Sequence, residues 1–265
     1  MEAVFLQLVN LSINAGWLVL AVLVLRLLLR RAPRWICCCL WALVALRLLC
    51  PVSIESAVSL LPSAHPLPQE FLTAQTPEIA SGLAVIDQAV NPVLAQYPAP
   101  APGNPRPVQQ ITAILAWVWL AGVFAMLLYA LVTSLLLRRR VATATLLAEG
   151  VKESEFIASP FVMGLIRPTI YLPYQLDASL RVHVLAHERA HIRRKDPLWK
   201  MVGFVLLSIY WFHPLLWVAY PLLCRDIEAA CDESVIRGMD EEARRNYAAA
   251  LFRCGVVSRS GAAVL

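Results

Sequence analysis

Four apolar runs organise the chain, and each ends at basic residues or at proline. Val4–Leu29 exceeds the roughly 20 residues that a helix needs to cross a bilayer. Gln7, Asn10 and Asn14 near its start are expected to face other helices. The second run centres on Ile36–Cys50 and spans only by borrowing flanking residues; its Arg47 needs a partner or must reach outward. The third, Ile111–Leu137, carries no charged residue. The fourth, Leu198–Cys224, is broken at His213-Pro214 and interrupted again at Pro221. Neither of its halves, Leu198–Phe212 or Leu215–Cys224, is long enough to cross.

Between the third and fourth runs the pattern shortens. Val151–Tyr174 holds strand-like pieces (Phe156-Ile157, Phe161-Val162 and Thr169–Leu172) punctuated by Pro160, Gly164, Pro168 and Pro173. This predicts a small antiparallel hairpin or edge ribbon. Asp177 reads as the N-cap of a helix that runs to about Lys195, where Asp196-Pro197 stops it. A last amphipathic helix is expected over about Glu241–Cys254, with Tyr247, Leu251 and Cys254 on one stripe.

Composition makes this a membrane pattern. Hydrophobic residues are 59% of the chain and charged ones 15%, against about 45–50% and about 25% in soluble domains. The formal charge of +5 comes from basic residues beside apolar runs. They read as topology signals and exclude a nucleic-acid footprint, so no direct nucleic-acid partner is expected. Arg26, Arg30, Arg31 and Arg34 at the first turnaround, and Arg138-Arg139-Arg140 after the third run, belong in the cytoplasm by the positive-inside rule. The N-terminus is then outside. It is not a cleavable signal, because residues 1–10 hold no Lys or Arg and the apolar stretch is too long. Residues 51–108 hold eleven of the eighteen prolines and read as an outside, polyproline-like linker. The seven cysteines are odd in number and lie in or beside apolar runs, which argues against a disulfide framework, and without a CxxC pair a thiolate zinc site has no support.

The chemistry concentrates in His187-Glu188-Arg189-Ala190-His191. Residues four apart share one helix face, so His187 and His191 can grip one Zn²⁺ while Glu188 lies beside it as general base. The pentapeptide also arises by chance, so a third ligand matters. Glu228-Ala-Ala-Cys-Asp232 again puts two acids on one face: Glu228 completes a His₂Glu set, and Asp232 accepts a hydrogen bond from a ligand imidazole. His183 is about 12 Å from His191 along the axis at 1.5 Å per residue and reads as a surface or supporting histidine. His213 reads as a polar turn residue, Cys231 as a small buried thiol, and Asp226 and Glu233 as helix-surface acids. His187, His191 and Glu228 can share an ion only from one side of the membrane. The intervening run must therefore dip in and return or lie at the interface, and Trp199, Trp211, Trp217 and Tyr220 suit that position.

Four blocks, in order, resemble the transmembrane metallopeptidases of bacterial β-lactam sensor–transducers. They are Ser159–Pro173, His187–Asp196, Trp211-Phe-His-Pro214 and Glu228–Glu233. The resemblance implies a mainly α membrane protein of the bacterial cytoplasmic membrane. It has about three transmembrane helices, a re-entrant or interfacial helical hairpin, and a cytoplasmic zincin-like α+β protease domain of the gluzincin type. Its divisions would be 1–50 for the first two helices, 51–110 for the extracytoplasmic loop and 111–137 for the third helix. The peptidase domain would be 138–256, with the hairpin at 198–224, and 257–265 a tail. His187, His191 and Glu228 match the family's zinc ligands and Glu188 its catalytic glutamate. The Ser159–Pro173 ribbon, at Gly164, Leu165 and Ile166, matches the segment that pairs with an extended substrate strand. The implied activity is self-cleavage and cleavage of a cytoplasmic repressor; the implied partners are the lipid bilayer, a protein or peptide substrate and a second copy in a homodimer. The chain stops at Leu265 without an S-x-x-K motif, so the family's penicillin-binding sensor domain is expected to be lacking. Two other readings stay open: a non-enzymatic membrane relay or scaffold with a structural zinc, and a membrane quality-control peptidase.

Overall fold

In the computed structural model, residues 1–50, 88–92, 107–174 and 176–260 are described. Most of the proline-rich loop and residues 261–265 lie outside them. Apolar stretches satisfy their backbone internally as helices: α1 (Glu2–Leu28), α2 (Arg34–Leu49) and α3 (Pro107–Arg140). Four short strands follow: β1 (Thr145–Ala148), β2 (Val151–Ser154), β3 (Phe161–Met163) and β4 (Thr169–Pro173). Four helices close the chain: α4 (Ala178–Arg194), α5 (Asp196–Ile209), α6 (Pro214–Ile236) and α7 (Glu241–Ser260). The helix expected to end near Cys254 thus continues into the stretch read as a tail. By length and composition, Glu2–Leu28 and Gln110–Arg140 can cross a membrane. At 16 residues, α2 is shorter than the usual crossing.

Two compact units divide the described chain. The first comprises Met1–Arg31, Cys39–Met126 and Leu206–Ala219. Within it Asn10 and Asn14 are buried, as expected, but Gln7 is exposed. The turn joining α5 to α6 also lies here. Its backbone oxygens find indole donors: Trp119 Nε1 donates to the Ile209 carbonyl at 2.8 Å, and Trp217 Nε1 to that of Trp211 at 2.7 Å. Those carbonyls would otherwise be orphans at a helix end. Trp211 Nε1 in turn donates to the Trp119 carbonyl at 3.1 Å. The Trp211 ring fills the space over Gly122, where an added Cβ would come within 2.2 Å of it. His213 is a turn residue, as read, and its Nδ1 is buried.

The second unit comprises Ala32–Cys38, Leu127–Val205 and Tyr220–Leu265. Its sheet has the order β1-β2-β4-β3. β1 pairs antiparallel with β2 and β3 antiparallel with β4, but β2 and β4 are parallel. The expected antiparallel ribbon is therefore a mixed sheet. Phe156-Ile157 is a turn and not a strand. The Ser154 Oγ accepts the Phe156 amide at 3.3 Å and bends the chain away from β2, so β4 enters beside β2 in the same direction. Gly164, with φ 102°, turns the chain after β3; a Cβ there would lie 2.6 Å from the Arg167 carbonyl oxygen. Val151, Ile170, Leu172 and Val184 form the buried core under α4, joined by Val162, Leu176, Leu185 and Ile192. An ion pair of 2.7 Å between Arg181 and Glu153 ties α4 to β2.

α4 does not end on a proline stop. Lys195 closes it in the left-handed conformation, φ 58°, and Asp196 with Pro197 opens α5, where a proline in the first turn needs no donor. Asp177 holds the N-cap position without a side-chain hydrogen bond. Within this unit α5 and α6 run back along one another. Gly203 lets them approach so closely that a Cβ would meet Leu223 at 2.8 Å, and Phe204 and Tyr220 meet edge to face at 5.9 Å. The fold-back inferred from the shared ligands is therefore present.

Candidate metal centre

One side of α4 packs on the sheet, and the stripe bearing His187 and His191 turns to α6 and α7. The Nε2 atoms of His187 and His191 stand 3.0 Å apart. Glu228, on α6, brings its Oε2 within 3.2 Å of His191 Nε2 and 3.6 Å of His187 Nε2. Bonds of about 2.0–2.1 Å to a tetrahedral zinc would set its ligand atoms about 3.4 Å apart. The three atoms therefore have the separation of a ligand set. The Glu228 side chain is 44% exposed, which leaves the centre open on one side.

The other ring nitrogens are held. His191 Nδ1 meets Asp196 Oδ2 at 2.7 Å. His187 Nδ1 meets the Tyr247 hydroxyl at 2.8 Å and Asp232 Oδ1 at 3.1 Å, and Tyr247 donates to that same oxygen at 2.9 Å. With Nδ1 as the donor on each ring, both Nε2 atoms turn lone pairs on one point. Two lone pairs at 3.0 Å repel unless a proton or a cation lies between them. The donor set thus fits a divalent, nitrogen-seeking metal such as zinc.

Electrostatics agree. Burial alone would lower the His187 pKa, but its hydrogen bonds to Asp232 and Glu228 win and push it up to about 9. Burial is likewise overcome at His191, by Asp196 first, and the ring is held well above its ordinary value. Burial would raise Glu228, yet the two imidazoles and Lys200 hold its carboxyl far below the usual range. Glu188 is buried, and that burial raises its pKa against the pull of the neighbouring histidines. A raised carboxylate suits a group that must take up and return a proton.

The residues expected here are therefore brought together: His187, His191, Glu228, Glu188 and Asp232. His183 packs edge-on against Tyr247 at 6.2 Å between ring centroids, in a supporting position. Gly164, Leu165 and Ile166 are not in a strand; they form the exposed loop after β3, and Phe161–Met163 is the nearer of the sheet's two edge strands, β1 being the other. Two acids depart from a surface reading. Asp226 is buried, and Glu233 accepts the backbone N–H of Arg34 at 2.7 Å, capping α2. Asp196, Tyr247 and Lys200 were not anticipated as site residues. Asp196 and Tyr247 hold the ligand rings, and Lys200 Nζ bonds Glu228 Oε1 at 2.6 Å. Cys231 is fully buried and its thiol meets the His187 carbonyl at 3.6 Å. Its sulfur and the ligand atoms of the two histidines lie within 4.8 Å of one another, so it stands as a second contender for the metal.

Comparison with known proteins bears on the chain as a whole. The family described as BlaR1 peptidase M56 matches residues 6–264. The regulatory protein BlaR1 of Bacillus licheniformis is 33% identical over 103 residues, 38% of this chain and 17% of that protein. The methicillin resistance mecR1 protein of Staphylococcus aureus is 24% identical over 108 residues, 39% of this chain and 18% of the relative. The chain thus spans less than a fifth of the length of either relative in these matches.

Proposed function

Because the chain belongs to the BlaR1 peptidase M56 family, we propose that it is an integral-membrane zinc metalloendopeptidase. It hydrolyses peptide bonds at the cytoplasmic face of a bacterial membrane. The observation that carries this reading is the convergence of His187 Nε2, His191 Nε2 and Glu228 Oε2 within 3.6 Å, with both Nδ1 atoms tied to carboxylates. His187, His191 and Glu228 would hold the zinc, and Asp196, Asp232 and Tyr247 fix the rings. There a zinc would supply the charge that polarises the scissile carbonyl and brings the pKa of the attacking water to about 7. Glu188 takes the proton of that water and returns it to the leaving amine.

The edge strand Phe161–Met163 is the segment that would pair an extended substrate with the sheet, in place of the loop at Gly164–Ile166. The substrates we assign are the chain itself and a cytoplasmic repressor, in line with a relative named as a regulatory protein and another named for methicillin resistance. The α5–α6 fold-back enters the bilayer from the cytoplasmic side and returns. Its turn satisfies its carbonyls with indole donors, as backbone at membrane depth must. In membranes holding the wild-type protein, self-cleavage fragments should accumulate, stop with a zinc chelator and resume with added zinc. Fragments indifferent to chelation would contradict the reading.

Cys231 supports one competitor. A closed site of two histidines, Glu228 and Cys231 would be structural, since catalytic zinc keeps a position open. On the catalytic reading, Glu228→Gln loses tightly bound zinc, and Cys231→Ser keeps both the zinc and the fragments. Zinc loss in Cys231→Ser, measured as metal per purified chain, would favour the structural site and a signal-relay role.

A further inference from the structure

Between Asp196 and Arg225 the chain carries a single Lys, Arg, Asp or Glu, Lys200. An ammonium on an otherwise apolar hairpin is expensive, and such residues usually have a partner and a task. Lys200 does not extend its long stem into solvent. Its Nζ reaches across to α6 and meets Glu228 Oε1 at 2.6 Å, while the other carboxylate oxygen, Oε2, faces the two imidazoles. The two oxygens of one carboxylate are thus divided between two cations' worth of demand. An ion pair this exposed contributes little to stability. Its effect is on orientation.

We infer that Lys200 is a positioning residue that makes Glu228 a one-oxygen ligand. By engaging Oε1 it keeps that atom off the metal, and the coordination position which a two-oxygen grip would take stays open for water and the substrate carbonyl. The close packing of Gly203 against Leu223 and Tyr220, one turn further along α5, fixes the register that brings Nζ to Oε1. Lys200 thereby links the packing of the hairpin to the geometry of the metal centre. This rests on the zinc-ligand reading of Glu228.

The test replaces zinc with Co²⁺ in purified full-length protein and compares wild type, Lys200→Met and Lys200→Arg. Visible absorption reports coordination number, being more intense for four-coordinate than for five-coordinate cobalt. Wild type should give the intense, four-coordinate spectrum. Lys200→Met, which keeps the apolar stem, should give a weaker, five-coordinate one and lower kcat at least tenfold with little change in KM. Lys200→Arg should restore most of the intensity and most of the rate. A Lys200→Met spectrum that superposes on wild type would overturn the inference, whatever happens to the rate. Wild-type protein that binds no cobalt would overturn the metal-centre reading itself, and this inference with it.

Discussion

Glu188→Gln should leave the zinc in place and remove peptide hydrolysis, lowering kcat by roughly two to four orders of magnitude, the usual contribution of a general acid–base group. The substitution is nearly isosteric. Glu188 is buried next to His187, and among the described residues the rings of His187 and His191 are held by Asp232, Tyr247 and Asp196 and not by Glu188. The amide keeps the shape but cannot accept a proton from water. In membranes the wild type should show self-cleavage fragments and the variant intact chain, with equal zinc in both. A variant that cleaves at the wild-type rate would remove Glu188 from the mechanism.

The second large effect is on metal binding. His191→Ala deletes one Nε2 and takes from Asp196, a buried acid, the partner at 2.7 Å, leaving it Arg194. Zinc should be lost at every practical concentration, and cleavage with it; a metal assay on the purified variant checks the first. In the wild type, affinity should also depend on pH in a stated direction. Without metal the carboxylates hold His187 protonated up to about 9 and His191 beyond the ordinary range. Zinc needs the neutral rings, so binding expels protons. Affinity should rise as pH climbs from the ordinary histidine value of 6.5 toward about 9. Titration in two buffers of different ionisation enthalpy would detect the protons released. An affinity flat over that range would mean that the rings are already neutral.

How much of this was legible in the sequence follows from how far each interaction reaches. His187 and His191 lie one helical turn apart, so spacing alone placed both rings on one face, with Glu188 next to the first of them. Glu228 and Asp232 were legible for the same reason, on α6. The fold-back of α5 on α6 followed from requiring three ligands on one side of a membrane. Asp196 was hidden because its role depends on the left-handed Lys195, which swings the chain so that the first residue of α5 faces back to His191. Tyr247 read as an apolar stripe residue; its ring is indeed buried, but its hydroxyl joins His187 to Asp232. Asp226 and Glu233 looked like surface acids because a helix wheel does not say which neighbours it will meet. The parallel pairing of β2 with β4 escaped for a similar reason: strands of four and five residues carry too little periodicity to reveal a non-local partner.

Two histidines and a glutamate, held by outer carboxylates, are proposed to form a zinc centre. Metal content per chain of the purified wild-type protein tests it most directly. One zinc per chain is expected, retained through gel filtration and retained equally in Glu188→Gln. Wild-type protein that is folded, zinc-supplied during expression and still free of zinc would contradict it.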